Sequence, residues 1–228
     1  MRCDKYRDTN PMSEETAPEG RCRLIVVAPP EKDVAESLSQ ALEGGDVASV
    51  ILAAGNLDAA SYARHCQRLV EIVQARNIAA IVVDDTVTAG RTGADGILLL
   101  RHLEEYREIV ARFSPHKLVG FGGFLTRHRA IELGEAEPDF LLFGKTDGDV
   151  RPEAHPKNLA MGEWWSKMIE IPCVVMAGST IESIGECALC GAEFAAAGRA
   201  IFEHGKGPRE AVRLANEVLD EHAKNVVP

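Results

Sequence analysis

This chain lacks a long apolar run: no hydrophobic stretch approaches the roughly 20 residues that cross a bilayer, so nothing in it predicts a membrane span. It also lacks the apolar core of a secretory signal at its start. Met1 to Gly20 is charged and polar, with Pro11, Pro18 and Gly20. That composition predicts a flexible tail, taken as residues 1–21, ahead of one domain over 22–228, in a cytoplasmic protein. An excess of positive charge is missing as well. The formal net charge of −10 argues against broad electrostatic binding to nucleic acid or to an anionic membrane, so any phosphate must be held locally.

The six cysteines form no framework. Cys173 falls in an apolar run and is expected in the core. Cys187 and Cys190 make a Cys-x-x-Cys pair, but on a helical stretch and without a second pair at zinc-ribbon spacing. They are taken as two small residues on a helix face. The histidines show no pair at metal-ligand spacing, so His65, His116, His128, His204 and His222 are assigned to surface or packing. No Gly-x-Gly-x-x-Gly follows the first apolar run, which leaves a dinucleotide fold unsupported.

What is present is repetition. Apolar runs recur at Leu24–Ala28, Ser49–Ala53, Ala79–Val83, Gly96–Leu99, Leu118–Gly120, Phe140–Phe143, Pro172–Met176 and Phe194–Ala197. Helical patterns alternate with them: Asp33–Leu42, Asp58–Arg76, Thr86–Thr92, Leu103–Phe113, Arg127–Leu133, Leu159–Ile169, Thr180–Cys190, and a last stretch to about Lys224. Near-continuous apolar strands are the mark of a parallel sheet covered on both faces. Eight of them alternating with helices predict an α/β protein, a single (β/α)8 TIM barrel, which 228 residues can supply.

In such a barrel ligands sit at the C-terminal strand ends. Ala177-Gly178-Ser179-Thr180 and Gly198-Arg199-Ala200 each follow a strand with a glycine and then a helix, an arrangement that presents backbone N–H groups and a positive dipole end to an anion. Gly178, Ser179, Thr180, Gly198 and Arg199 are therefore expected to bind a small phosphorylated ligand. Asp84 and Asp85 end the third strand. Adjacent carboxylates there can hold Mg²⁺, with Asp84 the candidate ligand, or one of them can cap the helix that comes next. Lys145, after the sixth strand, is a candidate acid or phosphate partner, or a solvated loop lysine. Arg101, Gly122 and Lys157 complete the expected pocket.

The stretches Ile81-Val82-Val83-Asp84-Asp85, Thr92-Gly93-Ala94-Asp95-Gly96-Ile97, Asp139 to Gly144, Ile171 to Gly178, and Gly191-Ala192 through Ala200-Ile201-Phe202 resemble the thiamine phosphate synthase and thiazole tautomerase family in order and spacing. The resemblance spans nearly the whole barrel. It implies a synthase that joins a hydroxymethylpyrimidine diphosphate to a thiazole phosphate and releases pyrophosphate, with Mg²⁺ and cationic side chains on the diphosphate, in a homodimer. The family's Gln-x-Arg-x-Lys of the second strand matches Val50, Leu52 and Ala54, so three polar groups are absent. The Asn before the Mg²⁺-binding Asp is matched by Val83, the fourth strand's Gly-Val-His-Leu-Gly-Gln by Gly96 to Arg101, and the Ser after the fifth strand by Gly122. The Thr-x-Thr-Lys after the sixth strand is matched at best by His155-Pro156-Lys157. The tautomerase branch's proton-shuttling His is matched by Lys145. The diphosphate apparatus is thus largely erased. Three readings stand: a synthase of weak or altered activity, a non-catalytic or regulatory barrel that binds a phosphorylated metabolite, and a phosphate-barrel isomerase or epimerase with Asp84 or Asp85 as base.

Overall fold

The computed structural model describes residues 20–31, 33–100, 106–114, 116–123 and 126–226. Eight strands close into a barrel: β1 (Arg23–Ala28), β2 (Ser49–Leu52), β3 (Ala79–Val83), β4 (Gly96–Leu99), β5 (Leu118–Phe121), β6 (Phe140–Phe143), β7 (Cys173–Met176) and β8 (Phe194–Ala197). Every neighbouring pair is parallel, and β8 closes on β1 with Leu24 opposite Ala195. The helices are α1 (Val34–Ala41), α2 (Ala59–Gln74), α3 (Thr86–Thr92), α4 (Tyr106–Phe113), α5 (Arg127–Gly134), α6 (Pro156–Met168), α7 (Glu182–Leu189), α8 (Arg199–Phe202) and α9 (Pro208–Val226). The fold is the (β/α)8 TIM barrel that the alternation predicts. None of the described helices is long and apolar enough to cross a membrane.

Two apolar layers hold it together. Outward strand residues such as Leu24, Val26, Val50, Leu52, Val175 and Ala197 pack under the helices against Leu38, Leu69, Trp165 and Ile184. The inward set, including Ile25, Ile51, Ile81, Leu98, Phe140, Leu142 and Val174, fills the barrel. Phe140 needs the missing side chain of Gly120, where a Cβ would lie 2.2 Å from its ring.

The alternation corrects the register of the second strand. Val50 and Leu52 face the helices, and Ala54 packs with that outer layer. The residues that face the interior are Ile51 and Ala53. Two positions of a period-two motif that points into the barrel therefore fall on Ile51 and Ala53, one residue along from Val50 and Leu52. The substance survives, because both positions are apolar.

Acidic residues at the N-terminal end of the barrel repeat on alternate strands. Asp95 accepts the Ala80 N–H at 2.9 Å, Asp139 the Val119 N–H at 2.8 Å and Glu193 the Cys173 N–H at 2.8 Å. Each precedes one strand and satisfies the start of the strand before it, which accounts for the Ala-Asp-Gly and Asp-Phe signatures as fold signals.

Two boundaries move. Of the expected tail 1–21, residues 1–19 lie outside the described residues, but Arg21 is buried. Its guanidinium meets Asp220 at 2.6 Å and the Asn216 side chain at 2.8 Å, which ties the chain start to α9. Helix α6 begins at Pro156, three residues before the apolar pattern, because the His155 ring accepts the Lys157 N–H and proline suits the first turn.

The five described cysteines are all free. Burial raises their thiol pKa values, Cys66 to about 11 and Cys22 to about 12. Buried protonated thiols of this kind are packing groups.

Candidate functional site at the C-terminal strand ends

The barrel mouth is built by the last residues of the strands and the loops that leave them. The inward residues at this end are apolar: Val27, Ala53, Val83 and Met176. Gly122, Gly144, Gly178 and Gly198 continue β5, β6, β7 and β8. Among the described residues, the inward strand ends therefore offer no fixed charge, and polar groups come from the loops.

After β3 the chain turns sharply. Asp84 has φ +53°, a left-handed conformation that Asp and Asn tolerate better than most residues. Its N–H extends the ladder to Leu98 O at 2.9 Å, and its Oδ1 accepts the Leu100 N–H at 2.8 Å. Asp85 caps α3, with one oxygen on the Thr88 N–H at 2.8 Å and the other on the Thr88 hydroxyl at 2.6 Å. The two carboxylates thus do different work. Of the two alternatives open for the pair, Asp85 takes the capping role and Asp84 fastens β3 to β4. Among the described residues no three His, Cys, Asp or Glu side chains are grouped to hold a metal ion. Mg²⁺ prefers one or two carboxylates with waters and ligand phosphates. Both Asp85 oxygens already accept from Thr88 of α3, so the Asp84–Asp85 pair does not present two uncommitted carboxylates to a resident Mg²⁺.

Tyr62 of α2 underpins the same corner. Its buried hydroxyl donates to Leu52 O at 2.7 Å and accepts the Val83 N–H at 2.8 Å, joining the ends of β2 and β3. Burial holds the phenol well above its ordinary range. Sequence reading passes over Tyr62 because its hydrophobic position on α2 already explains it.

Lys145 and Lys157 are exposed. Lys145 opens a tight turn in which its carbonyl accepts the Gly148 N–H. Lys157 sits at the start of α6. Gly122 is buried, with its N–H on Leu99 O at 2.9 Å. Arg101 lies outside the described residues.

The β7 and β8 ends come together as the glycine turns predict, but their donors already have acceptors. The Gly178 N–H donates to Ser183 Oγ at 2.9 Å. The Ser179 N–H donates to Arg151 O at 2.7 Å and the Thr180 N–H to Pro152 O at 3.3 Å, with the Thr180 hydroxyl on the same carbonyl at 3.0 Å. Helix α7 consequently starts only at Glu182, so Gly178-Ser179-Thr180 is a turn bound to the β6–α6 loop and not the start of a helix. At β8 the Arg199 N–H donates to Asp149 Oδ2 at 2.6 Å. The Arg199 side chain, half exposed, lies between two acids, Asp149 at 3.7 Å and Glu203 at 3.5 Å. Asp149 is 3% exposed. Burial raises its carboxyl above the ordinary carboxylate range, against the pull of the Arg199, Asp149 and Gly198 N–H groups and the Arg199 cation.

Comparison with known proteins gives this mouth a context. The family model for thiamine monophosphate synthase matches residues 24–201. The chain belongs to that family. It is 34% identical to the thiamine-phosphate synthase of Rhodospirillum centenum over 205 residues, covering 87% of this chain and 98% of that one. It is 28% identical to the enzyme of the same name from Hyphomonas neptunium, covering 93% and 100%. The solved thiamine phosphate pyrophosphorylase of Pyrococcus furiosus superposes with a TM-score of 0.74 at 19% identity, covering 88% of this chain and 96% of that one, which is a likeness of fold.

Proposed function

We propose that this chain is a thiamine-phosphate synthase-like protein of thiamine biosynthesis. Its reaction would join a hydroxymethylpyrimidine diphosphate to a thiazole phosphate with loss of pyrophosphate. The observation that carries this reading is the family match over residues 24–201 of a closed eight-stranded barrel. Catalysis of that kind depends on preorganised cations that meet charge developing on a leaving diphosphate, and losing one such group typically costs on the order of a hundredfold in rate. Here the inward face of β2 carries Ile51 and Ala53. Turnover is therefore slow, and phosphate contacts fall to the loops after β6, β7 and β8, with Lys145, Lys157 and Arg199 as the nearby cations and Asp84 as the carboxylate for any Mg²⁺ that arrives with substrate.

The apolar interior also supports a second reading, a non-catalytic barrel that binds a phosphorylated metabolite. A third reading, isomerase or epimerase chemistry, would need Asp84 or Asp85 as base, and both Asp85 oxygens already accept from Thr88 of α3. We place the protein in the cytoplasm, as a homodimer, on the same family grounds. The test is pyrophosphate release by purified protein with both substrates and Mg²⁺. A rate far below the ordinary enzyme range of about 1 s⁻¹ and above, but above the uncatalysed background, supports the first reading. Binding of thiazole phosphate without turnover supports the second. An ordinary rate would show that other residues have taken over the diphosphate grip.

A further inference from the structure

We propose that Asp149 is an internal anion that straps the β6–α6 loop over the ends of β7 and β8, and that a ligand phosphate enters there only when this carboxylate leaves. The inference rests on the reading that the barrel takes a phosphorylated ligand. Its basis is that a single loop, residues 144–155, supplies the acceptors for three of the donors expected to face such a ligand, the N–H groups of Ser179, Thr180 and Arg199, while the Gly178 N–H is taken by Ser183 of α7. Asp149 takes the Arg199 N–H at 2.6 Å, and the Arg151 and Pro152 carbonyls take Ser179 and Thr180. The far end of the loop is pinned too, with the Ala154 N–H on Glu186 of α7 at 2.8 Å.

The two glycines serve this closure. A Cβ on Gly198 would lie 2.9 Å from Asp149 Oδ2, and one on Gly178 would lie 2.3 Å from Pro152 O. The close approach that glycine gives a phosphate is used by the protein's own carboxylate and carbonyls. Gly198 precedes α8 and has no side chain with which to cap it, so the capping acid comes from 50 residues away. A buried carboxylate needs N–H donors and a cation around it. Asp149 finds them only where a phosphate would find them, and two anions cannot share the place without strong repulsion.

Inorganic phosphate and pyrophosphate are titrated into full-length protein and into Asp149→Ala and Asp149→Asn, following the backbone amide resonances of Ser179 and Arg199. Asp149→Ala should bind at least about tenfold more tightly than the parent, and Asp149→Asn, which keeps the shape and loses the charge, should fall between them. Equal affinity in all three, with those two amides shifting, overturns the strap and leaves the phosphorylated-ligand reading standing. If folded variants bind neither probe at millimolar concentration, both are overturned. Should the variants fail to fold, hydrogen exchange in the parent decides. Exchange across residues 145–153 should rise as phosphate saturates its site, and unchanged exchange with phosphate bound overturns the proposal.

Discussion

Replacing Tyr62 with Phe isolates one oxygen atom on which a corner of the mouth depends. The ring stays, so no cavity opens. The hydroxyl leaves, and the Val83 N–H loses its acceptor while Leu52 O loses a donor. Both sites are buried, and water cannot replace the lost partner without local opening. A buried donor left unpaired costs about 1–3 kcal/mol, and the weakened carbonyl adds about 1, for a total of roughly 2–4 kcal/mol. In a chain of this size each kcal/mol shifts Tm by about 2–4 °C, so Tyr62→Phe should melt roughly 4–16 °C below the parent. Urea unfolding tracked by circular dichroism gives the free energy directly, with an unchanged slope if the native and unfolded states keep their compactness. A loss under about 0.5 kcal/mol would mean that the two backbone groups find other partners, and that Tyr62 contributes only its ring.

The same contacts make three further outcomes testable. Asp84→Asn should leave stability near that of the parent, since Asn also tolerates φ +53° and can accept the Leu100 N–H, whereas Asp84→Ala should cost about 1–3 kcal/mol in urea unfolding; equal losses in both would refute the role of that oxygen. Gly178→Ala should destabilise by about 1–3 kcal/mol or more, because its Cβ meets the Pro152 and Glu153 carbonyls at 2.3 and 2.5 Å, and a neutral result in the same assay would show that the loop yields freely. Asp149 has a folded pKa above its unfolded value of about 3.9, so the folded state holds the extra proton between the two, and stability falls as pH rises through that window. Unfolding free energies of parent and Asp149→Asn should therefore diverge in favour of the variant from about pH 4 upward until the folded carboxyl, facing Arg199, is ionised; a constant difference across that range would contradict the raised value.

The strands are legible because a parallel barrel buries both faces of each one, and the resulting apolar runs stand out against polar connections. The (β/α)8 count comes from that alone. The apolar pattern places the start of α6 late, at Leu159, because the first turn, His155-Pro156-Lys157, carries no apolar periodicity and is set by a ring nitrogen and a proline. Asp149 leaves no local signal. It sits in a polar loop, and its partner Arg199 is 50 residues away. The one available hint is the absence of a capping side chain at Gly198, which requires an acceptor from somewhere else in the fold.

The register of β2 shows why a legible fold can hide its site. In a half-buried strand polar and apolar residues alternate, and the pattern itself says which residues face in. Ser49-Val50-Ile51-Leu52-Ala53-Ala54 is apolar from its second residue on, because helices cover one face and the barrel interior the other. A run without alternation carries no phase, so the inward positions can only be assigned once the strands are paired, with Ile51 opposite Val27 and Ile81. The same property that makes the barrel easy to find thus removes the information that would locate its lining. In this chain β2 from Val50 to Ala54 is apolar in either phase, so the absence of charged side chains from that stretch is legible without the register. The contact of the Asp149 carboxylate with the Arg199 N–H, across 50 residues of chain, requires the three-dimensional structure.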